Sequence, residues 1–180
     1  MNDPSDETLY ARYRKGDDAA FEALYRRYRQ PLYLFLLRSV ASAADADDLF
    51  QELWTRVIHA RESFTEGSVR AWLFRIARNL RIDLYRRRRL RPVTPGLEPD
   101  WSPDHGPGPQ QRSEADDCVE LMKREIGRLP PDQRDSFLLK EESGLSLAII
   151  AELSGVGRET VKSRLRYALQ RLRAALEECL

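Results

Sequence analysis

Between Pro92 and Gln111 the chain reads PVTPGLEPDWSPDHGPGPQQ, with six prolines and three glycines in twenty residues. Proline lacks the amide proton that a helix interior or a central strand needs. No regular element crosses such a stretch. It divides the 180 residues into a front part (1–91), a flexible Pro/Gly-rich linker (92–113) and a rear part (114–180). The twenty residues 92–111 reach at most roughly 66 Å at about 3.3 Å per residue. Trp101 inside the linker is either a docking residue or a solvated ring.

On both sides of the linker the apolar period is helical, and no period-two stretch of useful length stands out. Asp17 or Asp18 caps a predicted helix carrying Phe21, Leu24, Tyr25, Tyr28, Leu32, Phe35 and Leu36. Pro31 should kink or split it. A second helix starts near Asp45 and a third after Ser68, its predicted cap. The third has an apolar stripe at Val69, Trp72, Leu73, Ile76, Ala77, Leu80 and Leu84. In the rear part a helix through Val119, Met122 and Ile126 is followed by one opening at Pro131 and closing at Gly144. Two more helices cover 146–153 and 158–176. The expected fold is all-α: two small helical domains.

The third helix raises the functional question. From Arg70 to Arg91 it holds nine arginines, one aspartate and the rings of Trp72, Phe74 and Tyr85. On a helical wheel Phe74, Arg78, Arg81 and Tyr85 fall opposite the stripe, flanked by Arg70 and Arg88. A face that alternates rings with guanidinium groups suits single-stranded nucleic acid, where cations follow phosphates and bases stack on rings. The competing reading is a solvated basic face of a helical bundle. Arg86 to Arg89 are four adjacent like charges, which favour an anionic partner. Asn79 is placed either to bond a base edge or to cap a neighbouring loop. Asp83 is one turn from Arg87, a pairing distance.

The stretch SLAIIAELSGVGRETVKSRL, 146–165, has the order helix, glycine turn, helix, which fits a helix-turn-helix. Ala151 is small where the helices cross, Gly155 suits a positive φ, and Val161 anchors the second helix. Arg158, Glu159, Lys162 and Ser163 stand at the start of that helix, where such motifs read base edges. Arg166 and Arg171 suit phosphates. A helical hairpin with a basic surface is the plainer alternative.

Charge is localised. Residues 1–91 carry 18 Lys+Arg against 13 Asp+Glu, residues 92–111 carry three acids and no base, and residues 112–180 carry 12 against 13. No apolar run reaches bilayer length, and the acidic N-terminus lacks a signal core, so a cytoplasmic location is expected. Cys118 and Cys179 stand apart and read as incidental thiols, not as a disulfide framework or a zinc site. His59 and His105 have no metal or catalytic partners in sequence, so no metal, cofactor or covalent chemistry is expected. Asp45, Asp47 and Asp48 are too divergent on a helix to hold a nuclease metal.

Five segments in order carry a family resemblance: FEALYRRY, DADDLFQELW, AWLFRIARNLRIDLYRRRR, LPPDQRDSFLL and GLSLAIIAELSGVGRETVKSRLRYALQRLR. Together they resemble the bacterial extracytoplasmic-function (ECF) sigma factors of the sigma-70 family. The resemblance implies a specificity subunit that binds core RNA polymerase, through its clamp coiled coil and flap, and directs it to promoter DNA. In the front domain (1–91, region 2-like) Asp45, Asp48, Gln51, Glu52 and Thr55 are the implied core-binding set. Asp48, Gln51 and Thr55 share one polar face, which suits a basic helical partner. Arg70, Phe74, Arg78, Asn79, Arg81, Tyr85, Arg86 and Arg88 are the implied −10 set, with the Phe64–Ser68 loop implied to hold a flipped base. In the rear domain (114–180, region 4-like) Arg158, Glu159, Thr160, Lys162, Ser163, Arg164 and Arg166 are the implied −35 readers. An anti-sigma partner is a further implication. The alternative is an autonomous helix-turn-helix regulator of duplex operators, with the front lobe serving for dimerisation.

Overall fold

A computed structural model describes residues 3–64, 67–90 and 114–177. They form α1 (Asp6–Arg14), α2 (Asp18–Ser39), α3 (Ala43–His59), α4 (Val69–Leu90), α5 (Glu114–Arg128), α6 (Pro131–Ser143), α7 (Leu147–Ser154) and α8 (Arg158–Leu176). No strand occurs among the described residues. The all-α fold is thus observed.

Side-chain caps set most helix starts. Ser5, Asp17, Ser42 and Ser146 each accept a hydrogen bond from the backbone N–H three residues on. Ser68 does the same for Ala71 at 3.2 Å. Pro131 opens α6, and Gly144 ends it at φ 64°. Gly155 ends α7 at φ 66°. A side chain there would be strained, so the glycine makes the turn of the α7–α8 pair.

α1 to α4 make the front bundle around Leu32, Phe35, Leu36, Leu53, Leu73 and Leu80, all fully buried. α1 was not foreseen from sequence. It buries Leu9, Tyr10 and Tyr13. The Tyr10 hydroxyl donates to the Arg61 carbonyl at 3.2 Å, and burial pushes its pKa up to about 12. α2 is not split at Pro31 but runs unbroken for 22 residues. Pro31 sits between the buried Tyr28 and Leu32, and Asp6 of α1 grips both Arg27 and Tyr28. Tertiary contacts on both sides of the proline hold the helix together.

α5 to α8 make the rear bundle, with Leu138, Leu139, Ile150, Val161 and Ala168 in its centre. α6 also packs on α2 and α4 of the front bundle. Cys118 overturns its expected status: it is disulfide-bonded. The chain has one other cysteine, Cys179, which lies outside the described residues. Packing of α5 on α8 brings together chain segments that are remote in sequence, which spacing alone does not reveal. The linker, with Trp101 and His105, also lies outside the described residues.

Candidate nucleic-acid interface

α4 is the centre of the candidate site. Its stripe is buried as expected at Val69, Leu73, Ala77 and Leu80. Phe74 is a correction. It is fully buried, with its ring edge-on to Phe35 at 5.6 Å, so it cannot present a stacking surface. The reason is that α4 is covered on two sides, by the front bundle and by α6. At about 100° per residue, a helix covered this way buries positions that a single stripe would leave in water.

Arg81, expected on the exposed face, is buried in this structure. Its side chain is 6% exposed and lies 2.6 Å from the carboxylate of Asp135 on α6. Arg78 reaches the same carboxylate at 3.2 Å. Tyr85 is half-buried, and its hydroxyl donates to the Ser39 carbonyl at 3.0 Å. Arg70 donates to the Ser143 carbonyl at 2.9 Å and lies over the Tyr28 ring. Asn79, Arg86 and Arg88 are exposed, although Arg88 pairs with Asp45 of α3. Arg87 meets the Asp83 carbonyl, at 3.4 Å.

A cavity of about 370 Å³ opens beside the N-terminus of α4, walled in part by Phe64, Ser68, Trp72 and Arg75. Phe64 and Trp72 have ring centroids 5.2 Å apart, and Tyr10 backs both rings edge-on. Trp72 reads in sequence as core, yet it is half-buried and turned to this cavity. Arg75, exposed at its rim, has no place in the wheel-based set. Ile149 and Glu152 of α7 complete the wall, and Glu152 accepts from Arg75 at 2.6 Å. Only the fold brings α7 here.

On α3, Asp48, Gln51 and Thr55 form one exposed row. Glu52 pairs with Arg56 at 2.6 Å, and Asp45 is turned to Arg88, so those two are less available than sequence suggests. In the rear bundle Arg158, Glu159, Thr160 and Lys162 are exposed on the first turns of α8, with Ser163 half-buried. Arg164 is held by Asp132 of α6. Arg166 is exposed and lies 5.0 Å from the centre of the Tyr167 ring.

Among the described residues no group of histidine, cysteine or acidic side chains is arranged to hold a metal ion. None of their helices is long and apolar enough to cross a membrane.

Comparison with known proteins assigns both bundles. Residues 24–91 match Sigma-70 region 2, and residues 120–172 match Sigma-70, region 4. The ECF RNA polymerase sigma factor SigM of Mycobacterium tuberculosis is 32% identical over 93% of this chain and 83% of its own length. The ECF RNA polymerase sigma factor SigE of Mycolicibacterium smegmatis is 32% identical over 88% of this chain, which spans 63% of SigE. Among solved structures, the sigma factor RpoE of Bartonella quintana, in complex with the anti-sigma factor NepR, has a TM-score of 0.74. That match has 28% identity and covers 87% of this chain and 96% of RpoE.

Proposed function

The chain belongs to the ECF RNA polymerase sigma factors of the sigma-70 family, and we propose that it works as a two-handed promoter reader on core RNA polymerase. The front bundle, with boundaries near 1–91, docks on the polymerase through the Asp48, Gln51 and Thr55 row. Its α4 takes the −10 element, with Arg70, Arg78, Asn79, Arg81, Arg86 and Arg88 along the strand. The rear bundle, 114–180, takes the −35 element through Arg158, Glu159, Thr160, Lys162 and Ser163, with Arg166 on phosphate.

One observation carries this reading: a ring-walled cavity sits at the end of an arginine-rich helix. Phe64 and Trp72 offer flat faces, Arg75 offers a cation at the same cavity, and Arg70 and Arg78 lie on the same helix. Stacking of an extruded base on rings contributes about 1–3 kcal/mol, which offsets part of the cost of unpairing it. The rings for strand capture are therefore Phe64 and Trp72; Phe74 belongs to the core. The role is binding and strand separation, with no covalent step assigned to the chain. An anti-sigma partner, such as RpoE has in NepR, is part of the proposal.

The autonomous regulator is the less favoured reading, because the front bundle matches region 2 and is not left over as a dimerisation lobe. The test is run-off transcription with purified core polymerase on a promoter panel, beside co-elution with core. The proposal expects both activities, and expects R78A/R81A to lower open-complex formation more than co-elution. Duplex binding by α8 without any association with polymerase would overturn it.

A further inference from the structure

We propose that α1 is the positioning element of strand capture, with Tyr10 holding the Phe64 and Trp72 rings in the geometry that receives an extruded base. The proposal rests on the sigma-factor reading for the identity of the captured strand. The match to Sigma-70 region 2 begins at residue 24, so α1 lies ahead of it. Tyr10 is 2% exposed. Its ring stands behind the cavity and meets both walls edge-on, Phe64 at 5.0 Å and 77°, Trp72 at 5.3 Å and 76°. Edge-to-face contact is a preferred arrangement of aromatic quadrupoles, so one ring fixes the tilt of two.

The same helix ties down both ends of the connection between α3 and α4. At the α3 end the Tyr10 hydroxyl lies 3.4 Å from the Ala60 carbonyl and 3.2 Å from that of Arg61. The Arg61 guanidinium lies 4.8 Å from the centre of the Tyr13 ring and donates to the Arg14 carbonyl at 3.2 Å. Arg14 in turn pairs with Glu62 at 3.7 Å. At the α4 end the Glu7 carboxylate accepts from the Val69 N–H at 3.4 Å, a negative charge at a helix start. Phe64 and Ser68 lie between these ties, and Trp72 is one turn beyond them.

Phe64 belongs to no helix, so its ring direction depends on what touches it. A ring fixed before binding loses no freedom when a base stacks on it. A loose ring would lose that freedom at every capture and gain less from stacking. Tyr10 is buried and acts through the two rings, so it is a positioning residue and not a strand contact. Asp48, Gln51 and Thr55 lie on the exposed row of α3, outside this set of contacts, so the effect of Tyr10 falls on the strand and not on polymerase docking.

The full chain bound to core polymerase is titrated against a labelled −10 non-template strand from a promoter that run-off transcription selects. The strand is used intact and with an abasic site at each position in turn. For the native chain one abasic position should lower affinity about 5-fold to 150-fold, the contribution of one stacked base. Tyr10→Leu keeps an apolar side chain in the core but removes both edge-on contacts, and should reduce that ratio below about twofold. A merely structural loss lowers intact and abasic affinities together and leaves their ratio unchanged. A native ratio in Tyr10→Leu therefore refutes the proposal. Should that variant not fold, Tyr10→Phe decides. It keeps the ring, frees the Ala60 and Arg61 carbonyls, and should reduce the ratio about threefold; an unreduced ratio refutes the proposal. The reading beneath it fails separately, when the native chain does not co-elute with core polymerase or no abasic position alters its strand affinity.

Discussion

Arg81 and Asp135, 54 residues apart in the chain, lie 2.6 Å apart with both side chains nearly buried. One belongs to the helix that the sequence marks as a nucleic-acid face, the other to the opposite bundle. Arg134, next to Asp135, is also buried and donates to the Gly127 carbonyl at 3.1 Å. Loss of solvent holds its pKa below the usual arginine range. The seam between the bundles therefore concentrates charge, and its groups separate core residues from interface residues in ways that experiments can distinguish.

Phe74→Ala tests the core assignment. A fully buried ring removed from between α2 and α4 should cost about 3–5 kcal/mol of folding stability, measured by denaturant unfolding. A loss under about 1 kcal/mol would return Phe74 to the surface.

Asp48→Arg reverses the charge of an exposed α3 position without touching the core. Co-elution with core polymerase should fall while the melting temperature stays within a degree or two. Full co-elution would remove α3 from the polymerase interface.

Arg158→Ala and Arg166→Ala should separate base reading from phosphate anchoring. On a cognate −35 duplex the first should lower affinity by about 1–3 kcal/mol and relax preference at one base pair. The second should weaken all duplexes alike and reduce the salt slope by about 1. Titration at several salt concentrations distinguishes them. Identical salt slopes for the native chain and Arg166→Ala would exclude a phosphate contact there.

Asp17 caps α2, and the hydrogen bond from Arg12 holds its carboxyl below the usual range, with the Ala20 N–H adding to this. A lowered folded-state pKa means that the unfolded chain binds the proton more readily. The resulting stability is present above the ordinary carboxylate pKa and is lost as pH falls through the lowered one. Asp17→Asn keeps the cap but removes the charge. The native chain should melt higher than this variant at neutral pH, and the gap should close on acidification. A gap independent of pH would disprove the link.

Much of this molecule can be read along the chain, for local reasons. Caps at Asp17 and Ser68, the Pro131 start and the glycine stops at 144 and 155 act within one helical turn. So do the apolar periods, and helices followed from them. The α7–α8 turn and the exposed first turn of α8 were legible for the same reason. So was the exposed row on α3.

The failures have a common cause as well. Periodicity describes a helix with one covered side. α4 has two, so Phe74 and Arg81 are buried although their wheel positions face away from the stripe. Pro31 breaks a helix in isolation, but α1 and the bundle hold α2 on both sides of it. The sequence by itself determined the helices, the division into two basic-faced modules and the residue types available for DNA. Only the tertiary structure decided which arginines are free, which rings line a cavity and that Cys118 is bonded. Those outcomes depend on contacts between different helices, whose energies no local pattern encodes.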